Sequence, residues 1–323
     1  MKLEMKRMNI ERMTEIQEVK NPISEKVIMR FTEYLDVSAV TLKSYVSGIR
    51  NFIGYLSANG VKSPVRDDVI EFKRKLQKEG KSPATIGLYL SAIRRLFAWC
   101  ESEGIYENIT NGVKAPKQDK GHKRDYLSGT QIAEVLDTTD RATLEGKRNF
   151  AIMAVMSTCG LRTVEIVRAN VEDIRTLGNI TVLYVQGKGR NDKKEFVQLT
   201  APVREAINDY LHMRGHARGN APLFASCSKR NRGGRLTTRT ISSVCKSAMI
   251  NAGYNSSRLT AHSLRHSAVT LALMAGLSLS EVQAFARHSN IATTQIYAHN
   301  VDRLKSACES AITEAIFSVR KVR

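Results

Sequence analysis

Three features of this 323-residue sequence predict a mainly α-helical protein of two domains with one small antiparallel β-sheet. Apolar residues recur at helical spacing through most of the chain, a polar, basic stretch separates two such regions, and the alternation typical of paired strands is convincing in one place only. The length suits two domains of ordinary size, and a hydrophobic content of 42% is enough to build packed cores.

The first region reads as four short helices. Asn21-Pro22 and Ser24 precede Val27, Ile28, Phe31, Tyr34 and Leu35, the spacing of one buried stripe. Leu42, Tyr45, Val46, Ile49, Phe52, Ile53 and Leu56 make a second stripe that stops at Asn59-Gly60. A third helix starts at Asp67-Asp68, whose carboxylates favour the positive end of the helix dipole, and runs to Gly80. The fourth opens on Ser82-Pro83, an N-cap followed by proline in the first turn, and stops at Gly104. These helices predict a small bundle over residues 22–110, after a charged N-terminal extension, 1–21.

Residues 111–125 contain NGVKAPKQDKGHKR, polar and basic with Gly112, Pro116 and Gly121, which suits an extended linker. The second domain, 126–323, begins with the capping box Ser128-Gly129-Thr130-Gln131. Gly160 should close a helix in the left-handed conformation just before Arg162. The strand pair is Ile180 to Gln186 and Glu195 to Leu199, joined by the polar turn GKGRNDKK. Thr260 can cap a helix that turns Leu264, Ala268, Leu271 and Ala272 towards a core. A further capping box, Ser278-Leu279-Ser280-Glu281, opens a helix through Val282, Phe285 and Ala286 to His288.

Composition narrows the partner. Lys and Arg number 50 against 31 Asp and Glu, a formal charge of +19, and such an excess gathered into patches attracts a polyanion, nucleic acid above all. The cysteines, Cys100, Cys159, Cys227, Cys245 and Cys308, lie far apart without a C-x-x-C pair, so neither a zinc site nor a disulfide framework is expected. The N-terminus lacks the apolar core of a signal peptide and no apolar run approaches a membrane span, so a soluble, cytoplasmic protein is expected.

Several residues carry chemistry. Arg162 and Glu165 follow Gly160 in CGLRTVEI, a pair whose everyday reading is a local helix ion pair. Lys188 stands between glycines at the tip of the strand pair, where the backbone turns sharply and can approach a ligand closely. His262 and Arg265 in TAHSLRHS are three apart and share a helix face, so both can address one anion. His288 and Tyr297, the latter in ATTQIYAHN, would singly be packing residues.

Taken in order, Arg162, Lys188, His262-x-x-Arg265, His288 and Tyr297 resemble the signature of the tyrosine recombinase family, and HSLRHS and TTQIYAHN carry most of the likeness. It runs from about Thr41 to the last helix and is strongest from Gly160 to Asn300. The resemblance implies an all-helical, SAM-like core-binding domain and a mainly helical catalytic domain with a small antiparallel sheet, clamped around DNA. It implies that Tyr297 attacks a backbone phosphate to leave a 3′-phosphotyrosine and a free 5′-hydroxyl. Arg162 and Arg265 would hold the non-bridging oxygens, and Lys188 would protonate the leaving 5′-oxygen. His262 would take or share the tyrosine proton, His288 would donate a hydrogen bond to a phosphoryl oxygen, and Glu165 would orient the constellation. With two guanidinium groups in the role of a cation, no metal or other cofactor is expected. In one place the chain departs from the family pattern of Leu-Gly before the second histidine: it has Ala286-Arg287, which removes a flexible backbone position.

The expected partner is double-stranded DNA with paired half-sites, contacted by both domains through Lys43, Arg94 and Arg95 on the first and Lys229, Arg230, Arg232, Arg235 and Arg239 in SKRNRGGRLTTRT on the second. A solvated basic loop is the plain alternative for the latter. The resemblance points to the Xer-like and simple integrase branch, acting in integration and excision or in resolution, with accessory proteins compatible with either. A type IB topoisomerase would form the same phosphotyrosine and relax supercoils without a defined site, and a silent DNA-binding protein would lack covalent trapping on nicked DNA. Beyond Tyr297, the residues Leu304, Cys308, Ala311, Ile312, Ala315, Ile316 and Val319 form one apolar stripe, expected to dock on a neighbouring subunit in a tetramer rather than on its own domain.

Overall fold

In the computed structural model, residues 23–117, 125–187, 192–305 and 308–318 are described, and the chain divides into two units, Met1–Lys120 and Gly121–Arg323. The extension 1–21 lies outside the described residues.

Serine caps set three of the four helix starts among the described residues of the first unit. Helices α1 (Glu25–Tyr34), α2 (Ala39–Ala58) and α4 (Pro83–Ser102) begin after Ser24, Ser38 and Ser82, whose hydroxyls accept from Val27, Thr41 and Thr85 N–H. Helix α3 (Arg66–Lys78) starts differently: the Asp68 carboxylate accepts from the Val65 N–H at 2.7 Å. Their apolar stripes meet in one core, where Phe52 lies edge-on to both Phe72 and Phe97. Helices α2 and α4 cross closely at Gly48, where a Cβ would stand 3.1 Å from the Tyr89 Cα. One expectation fails here: Tyr34, assigned to the buried stripe of α1, is 64% exposed and only edges against Trp99. The buried positions of α1 are Ile28 and Phe31, and one turn further the ring has passed the edge of the core.

The second unit is built around α6 (Leu144–Thr158), buried from Ala151 to Ser157 on nearly every face. Around it stand α5 (Gly129–Asp137), α8 (Ala201–Arg214), α9 (Thr238–Asn251) and α10 (Ala261–Met274). The expected capping box of α5 forms, with Ser128 and Gln131 each accepting from the other's backbone N–H. The sheet has three antiparallel strands in the order β1 (Ile174–Leu177), β2 (Ile180–Val185), β3 (Glu195–Gln198). The pair β2 and β3 matches the predicted hairpin, with Leu183 opposite Val197. Strand β1 was not anticipated. It pairs with β2 through a two-residue turn, Leu177 opposite Ile180, but turns mainly exposed residues outward and so shows no apolar alternation.

Helices α7 (Thr163–Arg168), α11 (Leu279–Ala286), α12 (Ile291–Lys305) and α13 (Cys308–Ser318) complete the unit. A small second cluster of Val269, Leu273, Val282, Ala286, Tyr297 and Val301 packs α10, α11 and α12 together, and this places Tyr297.

Candidate active site

Helix ends supply most of the site. Gly160 follows α6 with φ 60°, and the chain then enters α7 with Arg162 at its N-cap. The Arg162 N–H donates to Glu165 Oε2 and its guanidinium Nη1 to Glu165 Oε1, both at 2.8 Å. Glu165 is fully buried. Burial alone would raise its pKa, but the Arg287 and Arg162 guanidinium groups and the Arg162 N–H outweigh that and hold it below the usual carboxylate range.

Helix α10 contributes the next two residues. Thr260 stands at its N-cap position, with its N–H donating to Ser263 Oγ. His262 is exposed on the first turn, whereas Arg265 lies 1% exposed beneath it. The Arg265 guanidinium donates to the carbonyls of Gly160 and Ala286, so it ties the end of α6 to the end of α11. Burial first, then the Arg162 and Arg287 charges, lower its pKa to about 9, with Glu165 and Tyr297 acting the other way.

Helix α11 ends two residues earlier than the sequence suggested. It closes at Ala286, and Arg287 takes the left-handed conformation, φ 54° and ψ 46°, that the family pattern gives to glycine. His288 then stands clear of the helix: its N–H donates to the Gln283 carbonyl, and Gln283 Nε2 donates back to the His288 carbonyl, each at 3.1 Å. Its Nδ1 pairs with Thr294 Oγ1 at 2.9 Å. Burial, followed by the charges of Arg265, Arg162, Arg287 and His262, lowers its pKa to about 4, so the imidazole is neutral at physiological pH.

Tyr297 on α12 is 5% exposed. Its ring packs 4.6 Å from that of His266 and 6.1 Å from that of His288. On its other side His266 stacks parallel to Tyr126, which belongs to a short strap clasped onto α10: Asp125 pairs with Arg258 at 3.0 Å and the Leu127 N–H donates to Ser267 Oγ at 2.7 Å. Five of the six expected catalytic residues, with Glu165, are thus gathered in one unit. Lys188 lies outside the described residues, although the hairpin base is held by Arg168 donating to the Gly187 carbonyl at 2.9 Å.

The basic candidates are placed less uniformly. Lys43 is exposed and lines a groove on α2 with Ser47, Arg50 and Asn51. Arg95 is exposed over the Tyr45 ring, but Arg94 is half-buried and donates to the Val113 carbonyl, tying down the chain beyond α4. Lys229, Arg230, Arg232, Arg235 and Arg239 are all exposed, and Arg235 also donates to the Val167 and Ala169 carbonyls and to Asn170 Oδ1. Sequence reading did not assign Arg287, His266, Tyr126 or Thr294 to the site. Only Arg287 carried a signal, as the departure from Leu-Gly. Among the described residues, no group of three or more His, Cys, Asp or Glu could hold a metal ion, and no helix is long and apolar enough to cross a membrane.

The phage integrase family model matches residues 125–303, and the phage integrase N-terminal SAM-like domain matches 28–104. The tyrosine recombinase XerD of Lacticaseibacillus casei is 31% identical over 284 residues, covering 84% of this chain and 93% of that protein. The tyrosine recombinase XerD of Listeria monocytogenes serotype 4b is 28% identical over 273 residues, 81% of this chain and 89% of that one. Among solved structures, the XerH site-specific recombinase bound to palindromic difH substrate aligns with a TM-score of 0.69 at 22% identity, over 85% of this chain and 79% of that one. A λ integrase tetramer bound to a Holliday junction aligns at 0.65 and 16% identity, over 84% and 76%. At these identities the structural matches speak for the fold. The chain belongs to the phage integrase family of tyrosine recombinases, enzymes that cleave and rejoin DNA at specific sites.

Proposed function

We propose that Tyr297 is the nucleophile and that Arg162, Lys188, His262, Arg265 and His288 carry out the phosphoryl transfer with it. The observation that carries this reading is the gathering of two guanidinium groups, Arg162 and Arg265, within electrostatic reach of each other and of a buried tyrosine whose ring packs against His288. The Tyr297 oxygen bonds to phosphorus as the bond to the 5′-oxygen breaks, so one phosphoester replaces another and no nucleotide energy source is needed. The phenolic proton passes to His262, and Lys188 protonates the departing 5′-oxygen. Arg162 and Arg265 hold the non-bridging oxygens as the pentacoordinate species gathers charge. His288, neutral because it is buried and cations surround it, offers a hydrogen bond without adding charge, and Thr294 holds its other ring nitrogen.

Tyr297→Phe keeps the ring and removes the attacking oxygen. Binding to a duplex half-site should survive, and covalent complex on a nicked duplex should vanish. A denaturation-resistant adduct with the Phe variant would refute the assignment. A topoisomerase-like reading predicts relaxation of supercoils lacking a defined site; recombination restricted to paired sites excludes it.

The substrate is duplex DNA with paired half-sites, bound by both units, and the working assembly is a tetramer closed through the C-terminal helix. Ile312 and Ile316 on α13 are both more than half exposed, an apolar face the described parts of its own chain leave uncovered. Cyclic exchange of that helix would close a ring and couple each tyrosine-bearing segment to its neighbour. A chain ending before Leu304 should fold and bind one half-site but lose cooperative filling of the full site and strand exchange. Normal recombination by that chain, or its unfolding, would overturn the docking.

A further inference from the structure

Arg287 stands where the family pattern has glycine, and its backbone takes the conformation glycine would adopt freely. It is the one non-glycine residue with positive φ among the described residues. Its side chain is 5% exposed, so the guanidinium lies inside the protein beside Glu165 rather than on the surface of a turn.

Its hydrogen bonds are the informative part. Nη2 donates to Glu165 Oε2 at 3.1 Å and to the Gly160 carbonyl at 3.2 Å, and Nη1 donates to the Phe285 carbonyl at 2.9 Å. Two of these acceptors already serve the other arginines: Glu165 holds Arg162, and the Gly160 carbonyl receives Arg265. Arg287 Nε is buried with no hydrogen-bond partner. A strained backbone position that also carries a buried, incompletely satisfied cation is kept only where its surroundings overdetermine it.

We propose that Arg287 is a positioning residue of the recombination site, a third guanidinium that braces Arg162 through Glu165 and Arg265 through the Gly160 carbonyl. The inference rests on Arg162 and Arg265 being the phosphate-holding pair. Together with the Arg162 N–H, Arg287 fills Glu165 Oε2 and leaves the carboxylate only Oε1 for the Arg162 side chain. Arg162 therefore bonds through Nη1 alone and does not close the two-point fork that would consume both terminal nitrogens. Its Nη2 reaches the Arg287 carbonyl at 3.3 Å, a long contact easily exchanged for a phosphate oxygen. Three guanidinium groups around one carboxylate also leave two net positive charges near Tyr297, which suits a phosphorane that carries two negative charges.

The test uses the full chain and a nicked duplex half-site that traps the covalent complex, with binding and single-turnover cleavage measured separately and thermal unfolding confirming the fold. Arg287→Gly restores the family residue and removes the backbone strain. It should bind DNA within about twofold of the parent yet cleave about tenfold more slowly at saturation, as expected for misplaced catalytic groups. Arg287→Lys, which returns the charge beside Glu165, should recover part of that loss. In a Glu165→Gln background, Arg287→Gly should cost less than about twofold more, because both changes break one brace. Arg287→Gly cleaving at the parent rate while Arg162→Ala is inactive, or losses that multiply with Glu165→Gln, would overturn the inference alone. Normal cleavage by Arg162→Ala would bring down the site assignment and the inference with it.

Discussion

Acidification should cost this protein stability that a His288→Gln variant keeps. Burial and the neighbouring charges of Arg265, Arg162, Arg287 and His262 lower the His288 pKa from 6.5 to about 4. In the unfolded chain the imidazole takes up its proton near 6.5, whereas in the folded protein it does so only near 4. Between those values the unfolded state binds more protons, so stability falls as pH drops below 6.5 and the loss is complete once pH has passed about 4. At about 1.36 kcal/mol per pKa unit, the full loss is on the order of 3 kcal/mol. Urea unfolding followed by circular dichroism at steps from about pH 7 to 4 measures it, with the two proteins side by side. Glutamine keeps a polar group opposite Thr294 but does not titrate. Glu165, also held below its ordinary pKa, loses stability at the acid end in both proteins and cancels in the difference. The wild-type minus variant difference in unfolding free energy should therefore fall by about 3 kcal/mol over this range. Parallel curves would show that burial and the neighbouring cations do not lower the His288 pKa.

Gly160→Ala places a Cβ 3.2 Å from two Phe285 ring carbons in a φ 60° conformation, so it should destabilise the protein by about 1–3 kcal/mol and slow cleavage through the Arg265 carbonyl contact. An unchanged melting temperature would refute the packing argument. Lys188→Ala should be strongly rescued on a substrate whose 5′-bridging oxygen is replaced by sulfur, a leaving group that needs little protonation. Absence of selective rescue would make the lysine a phosphate grip only. Cleavage should persist in excess EDTA, because Arg162 and Arg265 supply the charge a divalent ion would bring; inhibition reversed by adding back magnesium would contradict that.

The helices of the first unit were legible because their signals are local. Ser24 and Ser82 accept hydrogen bonds from residues three positions on, and the stripe from Tyr45 to Leu56 repeats at the helical period. The β2 and β3 pairing was legible for the same reason, since alternation reports the face turned to a core. Strand β1 was not, because Arg175, Thr176 and Leu177 all face outward and the hydrogen bonds that define it come from its neighbour. Tyr34 shows the opposite limit: helical spacing gives the face of a residue, but not whether the partner surface extends that far.

The same division runs through the site. Sequence by itself supplied the candidate inventory, because Arg162 with Glu165, His262 with Arg265, and Tyr297 stand in the order that resembles the family signature. Only the tertiary structure decided how those groups are held. Arg265 reaches a carbonyl 105 residues away and Arg287 a carboxylate 122 residues away, and no periodicity encodes such pairs. The missing glycine at position 287 could be read only as a lost degree of freedom. The fold instead fills the left-handed position with arginine, because the packed ends of α6, α7 and α11 bring Gly160, Glu165 and Phe285 within hydrogen-bond reach of one guanidinium.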